Sequence, residues 1–129
     1  MKIAALKERA KGELRTAITP ETAGKLVKNG YKVFVEKDIG LGCNIENSEY
    51  LEAGANLSSV PLEILSDADI ILKVQPSPLV DQYNEIAMSK AEACIIGLLS
   101  PYSNSDYINS AADKRLTTVA MELVPRTTK

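Results

Sequence analysis

The sequence predicts an α/β domain built on a doubly wound, mostly parallel sheet of five to six strands. Short apolar runs alternate along the chain with amphipathic stretches that carry helix-capping residues. Strands that are apolar on both faces are typical of a parallel sheet covered by helices on each side. No repeat, linker or low-complexity tract divides the 129 residues, so we expect one domain over 1–129. Together these features predict a three-layer, flavodoxin-like or Rossmann-like arrangement.

The predicted strands are the apolar runs, and the helices begin at capping residues between them. The strands lie at 3–6, 32–36, 56–58, 69–74, 93–99 and 116–123. The best-marked helix follows Thr19, because threonine caps a helix N-terminus and Pro20 suits the first turn. Gly30 stands where a left-handed glycine ends a helix. Ser77 and Pro78 mark another helix start in the same way.

The composition excludes several classes of function. The net charge of −2 and the pI of about 5.2 argue against nucleic acid as the main partner. The chain has no histidine, which excludes triads built on that residue and removes the commonest metal ligand, so we expect neither a catalytic triad nor a metal site. No apolar run approaches the ~20 residues of a membrane span, and the N-terminus lacks the apolar core of a signal peptide. We therefore expect a cytoplasmic protein, with Cys94 in a buried strand.

Candidate binding residues follow the strands, because ligands of doubly wound sheets bind beyond the carboxyl ends of the strands. This edge holds more cations than an acidic chain suggests, which favours an anionic small molecule such as a carboxylate or a phosphate. The residues expected there are Lys7, Glu8, Arg9, Arg15, Lys37, Lys73, Gln75, Ser100, Tyr102, Glu122 and Arg126.

Most of these side chains also have an ordinary structural interpretation. Exposed lysines and arginines are usually solvated, although Arg15 precedes a helix start, where the helix dipole does not favour a cation. Lys73 interrupts an apolar strand and must either reach solvent or pair with a carboxylate, for which Glu8 or Glu122 is available. Gln75 could simply bond to neighbouring backbone.

The glycine-rich stretch GLGCNI at 40–45 does not qualify as a dinucleotide-binding fingerprint. Its third glycine is replaced by Ile45, and it follows the second predicted strand instead of the first. We expect Gly40 and Gly42 to relieve backbone strain in a tight turn. No phosphate-binding P-loop motif is present either.

A family resemblance is carried by three segments, KERAKGELRTAITPETAGKLVKNGYKVFVE, EYLEAGA and DADIILKVQP. They resemble the N-terminal domain shared by alanine dehydrogenase and the alpha subunit of proton-translocating NAD(P) transhydrogenase. The likeness runs over nearly the whole chain and is most specific from Glu8 to Pro20. It departs from the family where Ala4, Ala5 and Leu6 replace Gly-Val-Pro and where Gly12 replaces asparagine.

Two details favour the transhydrogenase branch of this resemblance. Alanine dehydrogenases carry a substrate-binding lysine at the position of Gln75 and a catalytic histidine after the next strand, and this chain has neither. The C-terminal AMELVPR resembles the approach to a loop that touches the nicotinamide nucleotide in transhydrogenases. Arg126 matches the arginine that opens that loop.

The resemblance implies hydride transfer between NAD(H) and NADP(H), coupled to proton translocation. It implies that this chain forms one wall of the NAD(H) cleft, with Arg126 on the cofactor and Arg15, Lys73 and Gln75 lining the cleft. It also implies a separate NAD-binding domain, NADP(H) on a partner subunit, a transhydrogenase beta subunit, a homo-oligomer, and a location peripheral to the inner membrane through the complex. No catalytic residue is expected from this domain.

The sequence ends at Lys129, so the resemblance also implies truncation before the NAD-binding domain. A shortened chain, a split gene and a decayed gene all fit this expectation. Two other functions therefore stay open. One is a catalytically silent remnant or an assembly module that docks on a separate nucleotide domain. The other is an alanine-dehydrogenase-like domain that binds a small carboxylate through Arg15 and Lys73.

Overall fold

The computed structural model describes residues 1–77 and 84–123, in which six strands form one sheet. The strand order is β3-β2-β1-β4-β5-β6, and every neighbouring pair is parallel. The strands are β1 (Lys2–Ala5), β2 (Lys32–Glu36), β3 (Asn56–Ser58), β4 (Ile70–Leu72), β5 (Cys94–Gly97) and β6 (Thr117–Ala120). The predicted doubly wound sheet is confirmed, and it is parallel throughout.

Five α-helices lie between the strands in the part of the chain that the structure describes. They are α1 (Pro20–Lys28), α2 (Asn47–Glu52), α3 (Pro61–Leu65), α4 (Glu85–Met88) and α5 (Ser105–Asp113). The capping prediction for α1 is confirmed, because the Thr19 hydroxyl accepts a hydrogen bond from the Thr22 amide at 3.3 Å. Gly30 follows the helix with a left-handed φ of 93°. None of these helices is both long and apolar enough to cross a membrane.

The last predicted strand is shorter than expected. β6 ends at Ala120, and Met121–Leu123 form a 3-10 turn. The reason is that the Glu122 side chain contacts the loop after β5. Its carboxylate accepts hydrogen bonds from the amides of Leu99 at 3.2 Å and Ser100 at 2.9 Å. The Glu122 side chain, and not an extension of β6, therefore bonds the residues that follow β5. Glu122 is therefore not the partner of Lys73.

The helix predicted after Ser77 lies partly at 78–83, outside the described residues. The helix that the structure describes in this region is α4, and its cap is Asn84, whose side-chain oxygen accepts the Ala87 amide at 3.1 Å. Cys94 is only half-buried, contrary to the expectation of a buried position, and its partial burial raises the pKa of its thiol.

The sheet separates two apolar clusters, because successive residues of a strand face opposite sides. Ala4 belongs to one cluster, with side chains from α3, α4 and α5, and Ala5 belongs to the other, with side chains from α1 and α2. Gly97 allows β5 to lie close to the chain that follows β4, since a Cβ there would come within 2.5 Å of the Lys73 carbonyl oxygen.

The glycines of the 40–45 turn have a different role from the predicted one. Neither Gly40 nor Gly42 has a left-handed φ, and Asn44 supplies that conformation with a φ of 60°. A Cβ on Gly42 would lie 2.6 Å from the Leu14 carbonyl oxygen. The missing side chain therefore permits close contact with the loop after β1 and does not relieve a strained turn.

Candidate functional site

The candidate site lies beyond the carboxyl ends of the strands, where the loops after β1, β4 and β5 meet. A cleft of about 530 Å³ separates the start of α5 from the segment that follows β4. It is lined by Ala10, Gln75, Pro76, Ser77 and the run 103–107. A smaller cavity of about 110 Å³ adjoins Lys7, Glu13 and Arg15. The loops of three parallel strands thus build one continuous edge.

Lys73 is the centre of a buried charge cluster beneath this edge. Its Nζ lies 2.8 Å from the Ser77 Oγ, 3.1 Å from the Glu85 Oε2 and 3.5 Å from the Glu8 Oε2. The side chain of Lys73 has no exposed surface, and those of Glu8 and Glu85 are 1% and 0% exposed. Of the two carboxylates predicted as partners of Lys73, Glu8 is the one observed, and a second carboxylate, Glu85, joins it.

The second carboxylate, Glu85, connects the cluster to α5 and to the cleft. Its Oε1 accepts the Tyr107 hydroxyl and the Ser77 amide, the latter at 3.3 Å. Among the described residues, no hydrogen bond of normal geometry reaches its Oε2. The Lys73 Nζ lies 3.1 Å from this oxygen and balances its negative charge. Burial, together with the neighbouring Glu85 carboxylate, raises the pKa of Tyr107. Ser77 and Tyr107 also line the cleft, so the buried charge cluster holds two of the cleft's side chains in position.

Carboxylates of the chain also bind the backbone amides at this edge. Glu8 accepts the amides of Val74 at 3.1 Å and Gln75 at 3.0 Å. Glu36, at the end of β2, accepts the Lys7 amide at 2.8 Å and pairs with Arg9. Glu122 acts in the same way beyond β5, and the Ser100 amide lowers its pKa. These backbone amides are therefore already hydrogen-bonded within the chain and are not available to an external anion.

Arg15 and Gln75 converge on one carboxylate, that of Glu13. The Arg15 Nε donates to the Glu13 Oε2 at 2.9 Å, and the Arg15 Nη2 donates to the Oε1 at 2.7 Å. The Arg15 amide donates to the Oε2 at 2.9 Å, and the Gln75 Nε2 donates to the Oε1. These bonds, those from the Arg15 side chain first, lower the pKa of Glu13 to about 2. The same partnership raises the pKa of Arg15.

The structure thus brings together three of the residues singled out from the sequence. Arg15 and Gln75 share a partner at the surface, and Lys73 lies enclosed below them. Arg126 lies outside the described residues, and the ligand-binding roles of all four stay predictions. Sequence reasoning missed Glu13 and Glu85 as hubs, because no local pattern distinguishes them from surface glutamates. Within 1–77 and 84–123, no group of three or more cysteine, aspartate or glutamate residues is placed to hold a metal ion.

Comparison with known proteins gives consistent matches in sequence and structure. Residues 4–129 match the family described as "Alanine dehydrogenase/PNT, N-terminal domain". The first of the parts that make up the NAD(P) transhydrogenase alpha subunit of Rickettsia prowazekii is 62% identical over the whole of this chain, which covers 34% of that protein. An alanine dehydrogenase of Methanococcus maripaludis is 32% identical over 96% of the chain, which covers 32% of that protein.

A solved transhydrogenase structure from Sinorhizobium meliloti superposes on the chain with a TM-score of 0.89. Its sequence is 36% identical, and the match covers 99% of this chain and 37% of that one. The chain therefore spans about a third of the length of these three proteins.

Proposed function

The chain belongs to the family of alanine dehydrogenase and PNT N-terminal domains, and from that premise we propose that it forms one wall of the NAD(H) cleft in the alpha subunit of an NAD(P) transhydrogenase. The observation that carries this proposal is the 62% identity, over the whole chain, to the transhydrogenase alpha-subunit protein of Rickettsia prowazekii. The match to a transhydrogenase structure supports the same assignment.

In this proposal the complete assembly transfers hydride between NAD(H) and NADP(H) and couples the transfer to proton translocation. A second domain binds most of NAD(H), a partner subunit binds NADP(H), and the beta subunit completes the complex at the inner membrane. Because the chain covers only about a third of the length of this relative, we expect it to be inactive alone. The nucleotides supply the hydride chemistry, while this domain supplies position and electrostatics.

The geometry of the carboxyl edge supports this role. The cleft is lined by the amide side chains of Gln75 and Asn104 and the hydroxyl of Ser77, which are groups that can hydrogen-bond to a carboxamide such as that of nicotinamide. The buried Lys73 holds the Ser77 side chain in place through a 2.8 Å hydrogen bond from its Nζ to the Ser77 Oγ. Arg126 follows β6 along the chain, and in this proposal it contacts the nucleotide from the same side.

The test is an Arg126→Ala substitution in a complete alpha subunit. We expect weaker NADH binding and slower hydride transfer, because the arginine contact is lost. Lys28→Ala is the matched control, since this exposed lysine ends α1 at the opposite edge of the sheet. Unchanged NADH affinity and unchanged transfer in the Arg126 variant would refute the role of that residue.

A titration of this chain alone with NADH, followed by nicotinamide fluorescence, tests how much of the NAD(H) site lies in this domain. We expect no saturation up to about millimolar concentrations, which correspond to binding of only about 4 kcal/mol. Saturable binding that Arg126→Ala abolishes would show that this domain holds more of the nucleotide site than proposed.

The assembly-module alternative is tested in the complete protein. It gains support if Arg126→Ala has no effect there, while deletion of residues 1–129 still prevents the alpha subunit from assembling.

A further inference from the structure

We propose that Glu122 is a positioning residue of the nucleotide cleft, whose carboxylate holds the loop after β5 in the conformation that forms one side of that cleft. The carboxylate and the two amides bound to it, those of Leu99 and Ser100, are called the Glu122 clamp below. Glu122 does not itself line the cleft. The inference rests on the proposed function, because it assigns a task within the same site.

The clamp continues the pairing of β5 with β6 by means of a side chain. The backbone register of the two strands ends at the pair Gly97 and Ala120. Two residues further along each segment, the Glu122 carboxylate accepts the Leu99 amide at 3.2 Å and the Ser100 amide at 2.9 Å. The Ser100 hydroxyl adds a third hydrogen bond at 3.4 Å. Three donors of one loop thus meet a single charged acceptor, and such hydrogen bonds are stronger than neutral ones.

The loop has a backbone conformation at Ser100 that needs this support. The φ angle of Ser100 is 43°, in the left-handed region that residues other than glycine adopt at a cost in energy. Strained backbone of this kind persists where the surrounding structure holds it, and it is concentrated at functional sites. The hydrogen bonds from the Ser100 amide and hydroxyl to Glu122 hold it here. The clamp therefore fixes the direction in which the chain leaves β5.

The Ser100 carbonyl connects the clamp to the cleft. It accepts hydrogen bonds from the Ser103 amide at 2.9 Å, the Asn104 amide at 3.0 Å and the Asn104 side chain at 3.2 Å. Asn104 is the residue before α5, and the run 103–107 lines the cleft. One side of the cleft is thus positioned by Ser100, which is itself positioned by Glu122.

Packing alone holds this loop weakly. Leu99 is fully buried and anchors the start of the loop, but Leu98 is 40% exposed and Tyr102 is 92% exposed. A segment with exposed side chains and little packing opens locally at a low cost in free energy. Loss of the Glu122 carboxylate should therefore loosen the loop without unfolding the sheet.

The first measurement tests the clamp in this chain alone. Glu122→Ala removes the carboxylate, and hydrogen exchange of the backbone amides is followed by NMR. We expect the Ser100 amide to exchange at least about tenfold faster, which is 1.4 kcal/mol, while the Ile95 amide in β5 keeps its rate. Glu52→Ala is the matched control, because Glu52 is an exposed glutamate at the end of α2, and it should leave both rates unchanged.

The second measurement tests the positioning role in the complete transhydrogenase. We expect Glu122→Ala to raise the KM for NADH by about tenfold and to change kcat by less than about twofold, because a displaced wall weakens binding of the ground state and the transition state alike. A mere loss of folded protein would lower kcat and leave the KM unchanged. Adding Ser100→Gly to Glu122→Ala should recover part of the KM, because glycine adopts left-handed backbone without strain.

The proposal is overturned if Glu122→Ala leaves exchange of the Ser100 amide unchanged, because the clamp then does not protect the loop. It is also overturned if the KM for NADH is unchanged in Glu122→Ala but raised in Arg126→Ala, because the cleft then binds the nucleotide without the clamp. If neither substitution changes the KM, the proposed cleft is itself wrong, and Glu122 has no site to position.

Discussion

Substitution of Lys73 by methionine tests the buried charge cluster most directly. Methionine is close to lysine in length, so the change removes the ammonium group together with its hydrogen bond to Ser77 and largely preserves the packing. It leaves Glu8 and Glu85 in place, with side chains that are 1% and 0% exposed. Two buried carboxylates would then lack the cation that balances them.

The expected loss of stability follows from this geometry. Removal of one partner from a buried ion pair typically costs about 3–5 kcal/mol, because the remaining charge stays desolvated. A domain of this size is stable by roughly 5–15 kcal/mol, so the variant should still fold at neutral pH. With a urea dependence of about 2 kcal/mol/M, the unfolding midpoint should fall by about 1.5–2.5 M.

Urea unfolding followed by circular dichroism measures this shift, with Lys90→Met as the matched control. Lys90 pairs with Asp69 at 2.6 Å, but both side chains are more than a third exposed, so its loss should cost about 0–1 kcal/mol. Adding Glu85→Gln to Lys73→Met should recover part of the loss, because one unbalanced charge disappears. If Lys73→Met costs no more than Lys90→Met, the interpretation of this cluster is wrong.

The remaining predictions concern single contacts and can be measured by the same unfolding assay. Tyr107→Phe removes the hydroxyl that donates to Glu85 and should cost about 1.5–3 kcal/mol, as for other hydrogen bonds to charged groups; a neutral result would contradict the bond. Gly97→Ala should cost about 1–3 kcal/mol because its Cβ would meet backbone at 2.5 Å. Gly24→Ala should instead stabilise α1 by roughly 0.5–1 kcal/mol, since its nearest neighbour is 3.7 Å away. Glu13→Gln should flatten the pH dependence of unfolding between about 4.5 and about 2, because the lowered pKa of Glu13 contributes stability that is lost as the pH falls through this window; equal slopes for both proteins would refute this.

Features of the fold that depend on local chemistry could be predicted from the sequence. The apolar runs placed all six strands, and Thr19 and Gly30 marked the bounds of α1 because capping is decided within a few residues. The end of β6 was wrong by three residues, because a side-chain contact from Glu122 to a neighbouring loop replaces the strand there. That contact joins residues 22 positions apart and leaves no local signal.

In the candidate site, too, the sequence predicted what local chemistry decides and missed contacts between distant residues. Lys73 interrupts an apolar strand, so the sequence indicated that it needs a carboxylate partner. Glu8 was a candidate because both residues follow central strands of the sheet. Glu85 and Glu13 each have a partner far away in the sequence, since Tyr107 lies 22 positions from the first and Gln75 lies 62 positions from the second. A single sequence without the fold gives no physical reason to prefer them over other glutamates.

The two faces of the sheet are completed at different times as the chain is synthesised. The buried members of the cluster under α1 and α2 all come from the first 55 residues; they are Ala5, Ile18, Ala23, Val33, Val35, Ile39, Tyr50 and Ala55. The opposite cluster extends from Ala4 to Leu116 and needs nearly the whole described chain. β1 therefore pairs with β2 early, while its other edge waits for β4 to emerge. During that interval the nascent chain presents an open strand edge and a bare apolar face, which are the features that expose a folding intermediate to aggregation.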